Sequence, residues 1–358
     1  MTSKDTLLLI LKAYLNNSYD INIDSNIDEL YKLSNALNVS TIVSYVLNKL
    51  NIKDEHIDKT LYKAINKYER LNELRNNINI LFNNKFDYLF IKGSSISKYY
   101  NEPYLRYSAD IDVIVKDKYE EACNLLLNNG FNKKSVNKQE TCLIYNGLTV
   151  DLHRLFDKNN DNYEEIYLDS FNDNHELDIN YKYLYLLTHT SKHLLSGQLE
   201  LRSFVDLYYL RQLIDKKVVN KLLVETNLVV FNDTINHYLD VLMGKEEYTD
   251  LDHTLEEFIF NYADDFGSRS RVLINSYGKS KISYLLNRVF IPYDKLVYDY
   301  PILNKYKILT PFYYIVRLFK PLKYKRGKYT YNELINNSKV SNDDIENMHK
   351  FIKEIGLK

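Results

Sequence analysis

Three aspartates at two places in the chain have the types and spacing to do metal-assisted phosphate chemistry. Asp110 and Asp112 flank Ile111 at the start of an apolar run, DIDVIV, and Asp151 stands in GLTVDLH. Residues two apart in an extended chain project to the same face, so Asp110 and Asp112 share one side, and Ile111, Val113 and Val115 share the other. Two adjacent carboxylates repel, and without a cation one of them must keep its proton. A magnesium ion removes that conflict, because it takes hard oxygen ligands together with substrate phosphates. In the segment 148–153 the even positions are apolar, which puts Thr149, Asp151 and His153 on one face. Two metals about 3.5–4 Å apart need bridging carboxylates and a further ligand on the side of the nucleophile. Asp110 and Asp112 are expected to bridge. Asp151 is expected to complete the metal that activates an attacking hydroxyl, or to accept its proton.

A second motif lies upstream. The apolar run 88–91 ends at Lys92-Gly93-Ser94. A glycine there lets the backbone approach a phosphate, a following helix offers its free N–H groups, and the Ser94 hydroxyl can donate. Lys92 and Arg106 are the cations nearest this turn and the aspartates in sequence, and Arg106 is placed to neutralise a triphosphate. Lys98, one helical turn past Ser94, is a further phosphate candidate. A Gly-Ser turn alone, or an Asp-x-Asp alone, is an ordinary solvated turn. The functional reading rests on their joint occurrence in one short unit.

That unit spans residues 83–158 and reads β-α-β-α-β-β. Its parts are a strand ending at Gly93, a short helix over 94–100, a strand over 112–115, a helix over 118–129 closed by Gly130, and two strands over 141–145 and 148–153. Asn146-Gly147 between the last two is a strong hairpin signal. Residues 1–82 carry apolar side chains at helical spacing, as do many segments of 159–358. The expected fold class is therefore α+β: a small mixed sheet flanked by N-terminal and C-terminal helical regions.

Bulk properties narrow the classes further. The 358 residues have a formal net charge of -1, which gives no global attraction to nucleic acid or membrane, and no DNA-binding signature is present. The two cysteines, Cys123 and Cys142, form no CxxC and fit a reducing, cytoplasmic setting. The apolar stretch at residues 7–10 is too short for a signal peptide, and no run reaches the roughly 20 residues of a membrane span. The segment 300–332 is basic and tyrosine-rich, with eight Lys and Arg and no acid. It reads as a solvated lysine-rich face, with RNA or an acidic lipid surface as the other reading.

His189 and His193 stand at i and i+4, a metal-ligand spacing, but Thr190 occupies the place where a zinc protease has Glu. Arg202 and Asp206 share the same spacing and are expected to form an ion pair.

Gly93-Ser94, Asp110-x-Asp112 and Asp151 resemble the signature of the DNA-polymerase-β-like nucleotidyltransferase superfamily. More narrowly, Lys92-Gly93-Ser94, Tyr100, Pro103, Arg106, residues 110–115 and Asp151-Leu152-His153 resemble an uncharacterised bacterial and archaeal nucleotidyltransferase family. Its genes often lie near those for surface-polysaccharide or peptide modification. His189, Lys192, His193, Arg202 and Asp206 are similar to that family's helical motif, and with His153 they are expected to stand behind the metal and nucleotide ligands or to form an acceptor site. The resemblance implies a polymerase-β-like core. It implies Mg²⁺ or Mn²⁺ on Asp110, Asp112 and Asp151, and an NTP, ATP among the candidates, held by Gly93 and Ser94. It implies transfer of an NMP to an acceptor hydroxyl or phosphate of a small molecule such as a sugar, or of tRNA or protein, with release of pyrophosphate. Two departures stand out: a long gap between Ser94 and Asp110, and Ala109 where a small polar residue is expected. The alternative is a non-catalytic nucleotide-binding or partner-binding module on the same fold.

Overall fold

A computed structural model describes residues 1–137, 139–154, 156, 161–168, 170–171, 174–197, 199–261, 268–275, 281–319 and 335–357. It forms two compact units. The first comprises Met1–Thr190 and Glu200–Tyr248, the second Ser191–Leu199 and Thr249–Lys358.

The first unit begins with helices α1 (Ser3–Leu15), α2 (Ile27–Ala36), α3 (Ser40–Lys49) and the long α4 (Glu55–Phe82). Their starts are written in the sequence. Thr2 and Asp5 form a capping box, Asn26 accepts from Glu29 N–H, and Asp54 accepts from His56 N–H. The sheet follows: β1 (Tyr88–Phe90), α5 (Ser94–Ser97), β2 (Asp110–Val115), α6 (Tyr119–Asn128), β3 (Asn132–Val136), β4 (Glu140–Tyr145) and β5 (Leu148–His153). The strand order is β1-β2-β5-β4-β3. Only β2 and β5 are parallel; the other pairs are antiparallel. The protein is thus α+β with a five-stranded mixed sheet.

The hairpin between β4 and β5 turns at Asn146 and Gly147, with φ of 48° and 76°. Positive φ at both central residues matches the right-handed twist of the strands, which is why Asn-Gly works there. The sequence reading missed β3. Its five residues are all exposed, and NKKSV has no apolar alternation to reveal a strand; it is held as an edge by pairing with β4. The strand expected from 112 starts at Asp110, so both aspartates lie inside it.

One face of the sheet is the core. Tyr88, Phe90, Ile111, Val113, Val115, Leu143, Val150 and Leu152 pack with Leu71, Leu74, Ile78 and Phe82 of α4, and with Ala122, Cys123 and Leu126 of α6. The period-2 alternation leaves Asp110, Asp112, Asp151 and His153 on the opposite face. Five helices complete the described part of this unit: α7 (Asp161–Leu168), α8 (Ile179–Leu195), α9 (Leu201–Leu210), α10 (Lys216–Glu225) and α11 (Val229–Leu242), with the end of α8 passing into the second unit.

In the second unit the described helices include Asp250–Asn261, Thr310–Phe319 and Asn342–Glu354. Phe258 meets Phe351 with ring centroids 5.9 Å apart. Of the basic segment 300–332, residues 320–332 lie outside the described residues, and with them Lys320, Lys323, Lys325, Arg326 and Lys328. Among the described residues, no helix is long and apolar enough to cross a membrane.

Candidate active site

The parallel pairing of β2 with β5 sets Asp112 directly opposite Asp151, and Asp110 opposite Thr149. β1 feeds the same place: Ile91 N–H donates to the Asp112 carbonyl (3.2 Å), so Lys92 emerges beside the acidic pair. Lys92 Nζ donates to Asp112 Oδ1 (3.1 Å), and His153 Nε2 lies 3.0 Å from the same oxygen. The second ring nitrogen of His153 faces Glu140 Oε2 at 3.3 Å. Glu140 was not anticipated, yet it was readable. A two-residue hairpin that pairs Tyr145 with Leu148 must pair Glu140 with His153.

The charges respond to this crowding. Burial, then the negative charges of Asp112 and Asp151, push the Asp110 carboxyl up to about 6, with Lys92 and Arg202 opposing. Burial alone would raise Asp112 too, but Lys92 and then His153 outweigh it and hold that carboxyl well below the usual range. Lys92 reciprocates: burial favours the neutral amine, and Asp112 overrides it and raises the ammonium. Asp151 is raised, by burial first, with Asp112 also unfavourable and Cys142 opposing. Its Oδ1 is buried and has no hydrogen-bond partner among the described residues. A buried, unpaired carboxylate oxygen beside two further carboxylates is costly unless a cation or proton joins it.

These residues fit a divalent cation. The acids are of the hard-oxygen type, they destabilise one another, and one of their oxygens lacks a partner. Among the described residues, however, no three His, Cys, Asp or Glu side chains stand together as a formed metal site. The Lys92 ammonium is what neutralises Asp112 in this structure.

Gly93 begins α5 with φ of +43°, a conformation that side chains rarely adopt. A Cβ there would sit 3.3 Å from Ser108 Oγ and 3.4 Å from the Asp110 carbonyl. The turn is therefore packed tightly against the start of β2. It is held from behind by Glu176, which joins β1 through a bridge at Phe90. Glu176 accepts from Arg75 (2.6 Å), Lys98 (2.6 Å) and Lys182 (2.9 Å). Arg75 also donates to the Ser94 carbonyl, and Lys182 to that of Ser95. Lys98 thus serves this strut.

Two expectations are corrected by the geometry. Arg202 and Asp206 do not pair with each other. Asp206 accepts a bidentate fork from Arg106, both bonds at 2.8 Å, and a bond from Tyr100 hydroxyl at 2.6 Å. Arg202 instead reaches Glu200 (3.0 Å) and the Tyr107 carbonyl (2.8 Å). Both side chains respond to a loop that helical spacing alone does not reveal. Arg106 is also not free for a phosphate: it is buried, and its third nitrogen, Nη1, donates to Ser108 Oγ at 2.8 Å. It anchors the loop leading into Asp110.

His189 stacks on Tyr185, with centroids 6.3 Å apart, and Tyr185 lies under Lys92 at 6.0 Å. Lys192 and His193 stand in the last turn of α8 and belong to the second unit.

Residues 24–244 match a family model described as uncharacterised nucleotidyltransferase. This span covers more than half of the chain, and it contains the whole sheet and every acid of the candidate site. The chain belongs to the uncharacterised nucleotidyltransferase family. No curated protein and no solved structure gives a significant match. Membership of the nucleotidyltransferase family agrees with the general kind of reaction that the acidic strand ends suggest, and it suggests an NTP as substrate.

Proposed function

We propose that the chain is a metal-dependent nucleotidyltransferase with a polymerase-β-like core, moving an NMP from an NTP to an acceptor oxygen. The observation that carries this reading is the register that sets Asp112 opposite Asp151, on the sheet face away from the core, two residues from Asp110. Asp110, Asp112 and Asp151 would hold Mg²⁺ or Mn²⁺, which supplies charge neutralisation at the phosphates.

The chain's own residues supply the rest. Gly93 and the α5 backbone cradle phosphate oxygens, and Ser94 donates to them. Lys92, which pairs with Asp112 here, would be available to a phosphate if a cation were held by that carboxylate. Arg106 positions the Asp110 strand through Asp206. In the transfer, an acceptor oxygen forms a bond to the α-phosphorus, and the bond from that phosphorus to the bridging oxygen breaks. Pyrophosphate departs with the electron pair. The proton of an acceptor hydroxyl passes to Asp151.

The test is incubation of the full chain with each radiolabelled NTP, Mg²⁺ and cellular small-molecule, RNA and protein fractions, with pyrophosphate release followed in parallel. Label transfer that requires Asp110 and Asp112 is expected. Tight NTP binding without turnover on any fraction would instead favour a non-catalytic nucleotide-binding module.

A further inference from the structure

Helices α2, α3 and α4 enclose a cavity of about 430 Å³ against Tyr107. Its lining is unusual in kind. Small-molecule pockets are mostly apolar, with a few placed polar groups. Here every lining residue carries a polar atom, and none is a carboxylate. Lys59 and Lys63 line it from one face of α4, and neither has an ion-pair partner among the described residues. Asn35, Asn38 and Thr60 add hydrogen-bonding groups. The His56 ring is already engaged, with its Nε2 3.3 Å from the exposed Asp28 carboxylate.

Tyr107 separates the cavity from a groove beside the candidate active site. It lines both spaces, the groove together with Lys67, Ser94, Arg106 and Ser108. Lys59, Lys63 and Lys67 stand at i, i+4 and i+8, a ladder rising about 12 Å along α4. The wall between the two spaces is fixed. Thr41 donates to the Leu105 carbonyl, Arg202 to that of Tyr107, and Arg106 is locked on Asp206.

We propose that this cavity holds the acceptor, and that the acceptor is a small polyhydroxylated molecule bearing a phosphate. The identification as acceptor rests on the transferase reading above; the binding chemistry does not. Lys59 and Lys63 take the phosphate. The amides and hydroxyls take the polyol. Tyr31, His56 and Tyr107 bring rings to the lining, but it holds no aliphatic side chain such as Leu, Ile or Val for a lipid tail or an apolar peptide anchor. The volume suits one small molecule rather than a strand of RNA.

The experiment is isothermal titration of the full chain with glucose 1-phosphate, glucose 6-phosphate, ribose 5-phosphate and glycerol 3-phosphate. Glucose, ribose, glycerol and inorganic phosphate serve as controls, and each NTP with Mg²⁺ is titrated separately. At least one ester should bind more tightly than its parent polyol and than inorganic phosphate. In the Lys59→Ala/Lys63→Ala variant, whose changes lie at exposed positions, that ester should weaken by about tenfold or more while NTP affinity stays within about twofold. No ester exceeding inorganic phosphate, or a variant that loses NTP affinity and keeps ester affinity, would overturn the proposal. Label transfer to RNA or protein unaffected by the double substitution would also overturn it, and would leave nucleotidyl transfer standing. Ester binding by a chain that binds no NTP removes the acceptor role through failure of the transferase reading, a separately visible result.

Discussion

Glu176 is the residue whose loss should cost the most for the least obvious reason. No sequence pattern marks it, yet its carboxylate receives Arg75 from α4, Lys98 from the end of α5 and Lys182 from α8. Burial alone would raise its pKa; Lys182 first, then the bonds from Arg75 and Lys98, bring it down to about 2 from 4.5. A depressed carboxylate stabilises the fold above its unfolded pKa, and that contribution is lost as pH falls through the folded value. The window is therefore about pH 4.5 down to 2. At 1.36 kcal/mol per pKa unit the contribution is about 3 kcal/mol. The Glu176 side chain is 14% exposed, so solvent screening removes little of it. Glu176→Gln should lose about that amount at pH 7, measured by urea denaturation, because Gln accepts hydrogen bonds but cannot balance three cations. The deficit should shrink steadily between pH 4.5 and 3, as the Glu176 carboxyl of the unfolded wild-type chain takes up a proton that the folded chain does not. Adding Lys98→Ala to Glu176→Gln should recover part of it by removing one uncompensated charge. A deficit that is the same at pH 7 and pH 3, or none at all, would refute the strut.

Further outcomes follow from the same geometry. Gly93→Ala should destabilise by about 1–2 kcal/mol, because an L side chain is strained at φ +43°, and should weaken NTP binding by disturbing the turn; unchanged melting and titration curves would contradict this. Asp206→Ala should cost about 3–5 kcal/mol by leaving the Arg106 charge buried alone, whereas Arg106→Met/Asp206→Leu should recover most of the loss; a double variant as unstable as the single one would show that the pair's charge is not the issue. With metal chelated, Asp110→Asn should stabilise the chain at pH 7.5 by up to about 3 kcal/mol. The raised carboxyl, near 6 against 3.8 unfolded, disfavours folding above pH 6 and not below pH 4, so the gain should vanish by pH 4.

The acidic face was legible because period-2 alternation is a local property. Asp110, Asp112, Asp151 and His153 fall on one side from sequence alone, and Asn146-Gly147 fixes the register of the hairpin beside them. What brings β2 beside β5 is long-range pairing, which no local pattern encodes. The same limit explains the misassigned cations. Arg106 and Asp206 are 100 residues apart, and Glu176 gathers partners from three elements. A charged side chain near a motif in sequence reads as a ligand for substrate; only the fold reveals that a buried carboxylate already claims it. β3 was hidden for a different reason: an exposed edge strand needs no apolar face.

The most direct measurement is transfer of α-³²P label from each NTP to the cellular fractions by the wild-type chain and by Asp110→Asn/Asp112→Asn, with circular dichroism to confirm folding. Labelled product and pyrophosphate from the wild type, and neither from the folded variant, is the predicted result. Transfer that persists when both acids are amides would mean that the chemistry of this chain lies elsewhere.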